Sequence, residues 1–419
     1  MKSLSLTDTP GIAAVANGTT DDAPALNAAL QSLADQGGGI LHIPPGDYRC
    51  STVYLQSHVH LHLAPGARLI GSTDPNTYDF YKRPPDNPEG QGDRWHRALI
   101  LGQDIEDVVI TGGGTIDGGG VRDPNGEENE RGPHTVVLGG CKNIRLDNLT
   151  LDDSGNYAVL TEYSDDLEFR NLRFRGGWDG IHARGMIGRP CRNMTITQCD
   201  FQTGDDAIAG RYWDRTLITH NLINSACNGI RVIGPAEHLT IAHNHFHGPG
   251  RYPHITQSRY NALAGIILQP GAWDVAPGPL DHVLISHNTM TDQQTPLCIN
   301  TEAQSPVGSI HVDHLTATQT YGCALALEGL PDQPLQHLSL HDINVTFTKD
   351  AARTEPVELT PARVGVRPTP AWGLFARHIN HLDLTRVRMH LPAPDVRPAI
   401  DHADVPDLQQ YDCRFTTAD

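Results

Sequence analysis

Aromatic side chains are scarce in this 419-residue chain, at 6%, and charged ones reach only 19%. Hydrophobic residues nevertheless make up 38% and are spread over the whole length, which excludes an intrinsically disordered chain. No window approaches the roughly 20 consecutive apolar residues of a spanning helix, so no membrane partner is expected. Lys and Arg number 31 against 49 Asp and Glu, a net charge of −18. Nucleic acid is a poor partner for that balance, because phosphate neutralisation needs clustered cations. The first ten residues, MKSLSLTDTP, carry no apolar core of a signal peptide. A cytoplasmic protein is therefore expected, with a secreted or periplasmic chain that has lost its leader as the alternative. None of the eight cysteines forms a CxxC pair, which argues against structural zinc and for buried free thiols.

Helical periodicity is nearly absent too. It shows clearly in one segment, Ala23 to Leu33, with Asp22 as the expected N-cap and Pro24 in the first turn. Gly37-Gly38-Gly39 ends it, and a short strand and turn follow to Tyr48. This reads as a capping helix over residues 1–50.

What the chain has instead is a repeat. Asn143–Leu151, Asp166–Phe174, Asn193–Phe201 and His238–Phe246 share one alternation of polar and apolar residues. The pattern returns at His282, Ser309, His337, His381 and Asp407, and more loosely at Arg215. Most starts lie about two dozen residues apart, the mark of a solenoid. Helical repeats lack their helices here, and leucine-rich repeats their Leu ladder. A right-handed parallel β-helix fits, all-β, with three short strands per coil, as a single domain over 1–419. Two intervals of 44 residues imply insertions near 248–280 and 349–370, and such insertions commonly wall a binding groove.

A second register marks another strand. Tyr157–Glu162, Asp179–Arg184, Asp206–Arg211, Asn228–Ile233, Ala264–Gln269, Leu297–Glu302 and Cys323–Glu328 align. The third column (Val159, Ile181, Ile208, Ile230, Ile266, Ile299, Leu325) is apolar and must face inward. Columns four and six then face outward as a polar, solvated face. They hold His182, Arg231 and Asn300, then Glu162, Arg184, Arg211, Gln269, Glu302 and Glu328.

Beside that face, Asp179 and Asp206 begin equivalent strands of consecutive coils, and Asp205 precedes Asp206. Coils stack about 4.8 Å apart, so three carboxylates are expected close together. Such a cluster holds one carboxyl protonated and another ionised, the division that glycosidic hydrolysis requires. A turn-capping aspartate ladder is the alternative.

The runs Trp178-Asp179-Gly180-Ile181 and Gly204-Asp205-Asp206-Ala207-Ile208-Ala209 resemble the motifs of the polygalacturonase family of glycoside hydrolases, family 28. Asp21–Tyr48 is similar to the opening of pectin-active β-helices. Gly113–Gly118, Pro370–His378 and Asp395–Ala399 add to the likeness, which spans most of the chain. The resemblance implies Asp205 as general acid and Asp179 with Asp206 activating water, by single displacement with inversion. It implies a carbohydrate substrate and no cofactor or metal. Trp178, His182, Arg184, Arg211, Asn228, Arg231, Gln269 and Glu302 are the candidate substrate-binding residues.

Three departures stand out. The family's Gly-His-Gly reads Cys227-Asn228-Gly229, its Arg-Ile-Lys aligns with Ile266-Ile267-Leu268, and Gly177-Trp178 replaces the Asn-Thr before Asp179. They point away from ordinary polygalacturonate, toward a rearranged acid-binding site of Arg184, Arg211 and Arg231, or toward a neutral sugar. A polysaccharide lyase or epimerase on the same fold, with Ca²⁺ on the aspartates, and a non-catalytic carbohydrate-binding β-helix are the competing functions.

Overall fold

The computed structural model describes residues 2–7, 14–84, 96–273, 275–302, 304–322, 325–361 and 365–418. The chain divides into two compact units, Met1–Thr203 and Gly204–Asp419. Both are built as a right-handed parallel β-helix.

In the first unit, the helix Ala23–Ala34 buries Leu26, Leu30 and Leu33 and precedes the coils. Asp22 stands at its N-cap position but makes no side-chain cap. Its carboxylate instead accepts from the Val15 and Ala16 amides at 2.6 and 3.0 Å. Asp21 caps in its place, accepting from the Ala23 amide at 3.0 Å. Each coil then supplies three short strands, as in Asp165–Arg170, Arg173–Arg175 and Ile181–Arg184. The repeat read from the sequence is the structural register: Ile144 pairs with Leu167, and Leu167 with Met194. Aromatic residues, few as they are, enter this core, where the Phe174 and Phe201 rings stack at 4.5 Å.

In the second unit the same column runs Thr216, Leu239, Val283, Ile310, Leu338 and Leu382, each paired with the next. Between the first and second strands of each coil one residue bends the chain in the left-handed region. His220, His243, His287, His314, Asp342, Arg386 and Asp412 hold this place, with φ between 49° and 59°. Such a conformation costs a non-glycine residue about 1–2 kcal/mol. Stacking offsets part of that cost: the rings of His220, His243, His287 and His314 follow one another at 5.0, 5.0 and 4.5 Å. One position further, Asn221, Asn244 and Asn288 form a buried ladder. Asn244 Nδ2 donates to Asn288 Oδ1 at 3.1 Å and to the Ile218 carbonyl at 2.9 Å. Its Oδ1 accepts from the Asn221 amide and side chain, both at 3.0 Å. In the first unit Leu149, Leu172 and Cys199 occupy the same place, all buried.

Six of the described cysteines are buried free thiols and Cys413 is half-buried; Cys323 lies outside the described residues. No helix among the described residues is long and apolar enough to cross a membrane.

Candidate functional site

The third strand of every coil carries the candidate residues. Val159 pairs with Ile181, and Ile208 with Ile230 and then Ile266, so the inward column is as expected up to that point. The next strand is shifted. Ile266 pairs with Leu297, not Ile299, which moves Asn300 into column six opposite Glu328 and carries Glu302 beyond the strand, where it is exposed. Leu297 and Ile299 are both apolar two residues apart, so alternation alone does not separate the registers.

The polar columns do not form a solvated face. Glu162 is 0% exposed, Gln269 1%, Arg211 3%, His182 4%, Arg231 6% and Arg184 8%. Segments outside the coils cover them. Arg83 pairs with Glu162, Arg367 pairs with Glu328 at 2.5 Å, and Gly365 exchanges two hydrogen bonds of 3.3 Å with the Gln269 amide. Burial pushes the Glu328 carboxyl up, against the pull of Arg367 and Arg377. Arg211 lies so close to Gly234 that a Cβ there would sit 2.6 Å from its own.

In the first unit, Asp179 is held by a chain of donors. Arg184 Nε donates to His182 Nε2 at 3.0 Å, and His182 Nδ1 lies 2.7 Å from Asp179 Oδ2. A guanidinium only donates, so Nε2 is the lone-pair nitrogen and Nδ1 carries the proton. Asp179 Oδ2 is therefore the acceptor in that bond. The His182 ring stacks on Tyr157 at 4.2 Å, and the Tyr157 hydroxyl accepts from Arg184 Nη2 at 3.1 Å. Trp178 is no open platform: it is 3% exposed and lies under the Arg131 guanidinium, 3.9 Å from its ring centre.

The ring stack continues away from His182 through His134 to His96. Both histidines are fully buried, and His96 Nδ1 meets His134 Nε2 at 2.9 Å. Burial, reinforced by nearby cations, holds both well below the ordinary imidazole range. The unfolded chain binds protons near pH 6.5 where the folded chain does not. Stability from this pair is therefore complete above about pH 6.5 and falls as pH drops, by about 1.4 kcal/mol per unit for each ring. Urea denaturation between pH 8 and pH 5 measures that slope. His96→Gln is expected to remove about half of it, and an unchanged slope would place the acid sensitivity elsewhere.

In the second unit, Asp206 is held as firmly. Its Oδ1 accepts from the Asn228 amide at 3.0 Å and from Asn228 Nδ2 at 2.7 Å, and Arg231 Nη1 lies 3.7 Å from Oδ2. Asn228 is 1% exposed, with its Nδ2 donating to Asp206 and its Oδ1 accepting from the Ala264 amide at 3.3 Å. Arg231 Nη2 donates to Gln269 Oε1 at 3.2 Å.

Asp205 has a neighbour that the sequence did not reveal. His254 Nε2 stands 3.7 Å from Asp205 Oδ1. His254 comes from the first insertion, where its amide donates to the Arg259 carbonyl at 2.7 Å and accepts from Ser258 at 2.8 Å through its own carbonyl. Arg259 ties that turn to the coil through the carbonyls of Ala226 and Asn261. No motif marks such a histidine; the length of the insertion was the available signal.

Asp205, Cys227 and His254 could bring three ligand atoms within 4.8 Å of one another. Burial first, then the Asp206 and Asp205 charges, drives the Cys227 thiol well above its ordinary range. A thiol kept protonated is a poor metal ligand.

Comparison with known proteins agrees with this architecture. The family model described as "Right handed beta helix region" matches residues 134–263. A probable polygalacturonase of Vitis vinifera is 30% identical over 231 residues, 52% of this chain and 46% of that protein, so the matched part is about half of that relative's length. The solved hyperthermoactive exopolygalacturonase of Thermotoga maritima superposes with a TM-score of 0.66 at 19% identity, over 83% of this chain and 87% of that one. The family 28 exopolygalacturonase of Yersinia enterocolitica gives 0.66 at 14% identity, over 99% and 78%. The chain is polygalacturonase-like in sequence and in fold.

Proposed function

We propose that the protein is a glycoside hydrolase that cleaves a pectin-like or related oligo- or polysaccharide by single displacement with inversion. Asp205 is the general acid that protonates the leaving oxygen. Asp179 and Asp206, which open equivalent strands of consecutive coils in the sequence register, orient and deprotonate the attacking water.

The observation that carries this reading is the hydrogen-bond direction at Asp179. Arg184 fixes the His182 tautomer, and His182 fixes Asp179 as an acceptor. The two amide donors from Asn228 do the same for Asp206. Two carboxylates kept as acceptors suit a base, and the resemblance of Gly204-Asp205-Asp206 to the family motif gives the acid role to Asp205. The homologous polygalacturonases support the carbohydrate substrate.

NMR of the first product formed from pectic, galactan and glucan oligosaccharides tests the mechanism. An inverted anomer is expected. A retained anomer overturns single displacement, and an unsaturated product absorbing in the ultraviolet assigns a lyase instead.

His254 is part of the proposed machinery, as the imidazole beside the acid. Its replacement by alanine is expected to lower kcat about tenfold or more with a smaller change in KM. Equal kcat for both proteins in steady-state kinetics would reduce His254 to a wall of the groove.

A further inference from the structure

Trp273 is the exception among the described tryptophans. Trp178, Trp213 and Trp372 are 3%, 1% and 4% exposed, whereas Trp273 is 60% exposed. It lies in the second half of the insertion, after Gly271, whose φ of +86° turns the chain there. An indole left in water gives up a large apolar contact area, and a fixed one is the usual platform for a ligand with an apolar face and polar edges.

This indole has a buried cation for a neighbour. The Arg231 guanidinium carbon sits 5.2 Å from its ring centre. Arg231 is itself 6% exposed and anchored through Gln269, whose amide is clasped by Gly365. Its positive charge is only loosely matched: Asp206 stands at 3.7 Å, and Nε is buried with no hydrogen-bond partner. One guanidinium thus bridges the proposed catalytic carboxylate and an exposed aromatic ring.

We propose that Trp273 is a sugar-binding platform next to the proposed cleavage site, and that Arg231 makes it select a uronic acid residue. A pyranose ring stacks its C–H face on the indole, and its carboxylate is drawn to the guanidinium charge. This rests on the hydrolase reading above for its substrate, but its test does not need turnover.

Binding is measured by tryptophan fluorescence in the Asp205→Asn protein, with oligogalacturonate and a neutral galacto-oligosaccharide as probes. Oligogalacturonate is expected to change the emission and to bind more tightly than the neutral sugar. Trp273→Phe should abolish most of the signal while keeping much of the affinity. Trp273→Ala should raise Kd about three- to tenfold, and in the active enzyme should raise KM by the same factor. Arg231→Gln should remove the preference for the acidic sugar. Unchanged Kd in Trp273→Ala overturns the platform, and equal affinity for the two sugars overturns the role of Arg231. Absence of hydrolysis by the unaltered chain would overturn the hydrolase reading alone, since the fluorescence titration would still decide this one.

Discussion

Asp205→Asn is expected to lower kcat by about a hundred- to ten-thousandfold, the usual contribution of a positioned general acid. The amide has the carboxyl's shape and lacks its transferable proton, so KM should move little. Asp179 and Asp206 are each gripped by donors, His182 on one and Asn228 on the other. Removing either grip disturbs geometry as well as chemistry. At Asp205 the amide keeps the carboxyl's size, so the 3.7 Å approach of His254 to this side chain is preserved. Steady-state rates with circular dichroism as a folding control check it. Wild-type turnover in the variant would take the acid role from Asp205 and leave the carbohydrate-binding alternative standing.

Asn244→Ala is expected to cost about 3–5 kcal/mol of stability, the range for breaking a buried hydrogen-bond network. Asn244 is 1% exposed and sits in the middle of its ladder. Truncation removes the acceptor shared by the Asn221 amide and side chain and the side-chain donor to the Ile218 carbonyl and Asn288 Oδ1, while Asn288 keeps its bonds to the Asn244 amide and the Ile241 carbonyl. The comparison is Leu172→Ala at the equivalent place in the first unit, where only apolar contact is lost and about 2–5 kcal/mol is at stake. The two losses differ in kind. Polar stranding should show as early hydrogen exchange at Asn221 and its neighbours, and cavity formation should not. An Asn244→Ala protein as stable as wild type in urea would show that water replaces the ladder.

Much of the fold was written in the alternation of residues, because a parallel coil repeats its inward column at every turn. Thus Ile144, Leu167 and Met194 were aligned correctly from sequence, as were Leu239, Val283 and Ile310. Alternation has period two, and it failed where two apolar residues stand two apart: Leu297 and Ile299 gave a register that misplaced Asn300 and Glu302. The candidate acids were legible as motifs. Their surroundings were not. Columns that point away from the coil interior were expected in water, yet Arg83, Gly365 and Arg367 close over them from segments that follow no period. His254 and Trp273 escaped for the same reason, because insertions are placed by tertiary contacts that leave no local pattern. Trp178, chosen for its motif, proved to be packing.

The paired bonds between Gln269 and Gly365 join residues 96 apart in sequence. They act as a buckle on a strap laid across the coils. Arg231, and with it the orientation of Trp273, therefore depends on a segment that belongs to no coil. A protease cut in that strap would leave the stacked strands and their circular dichroism intact, while loosening the cation at the groove.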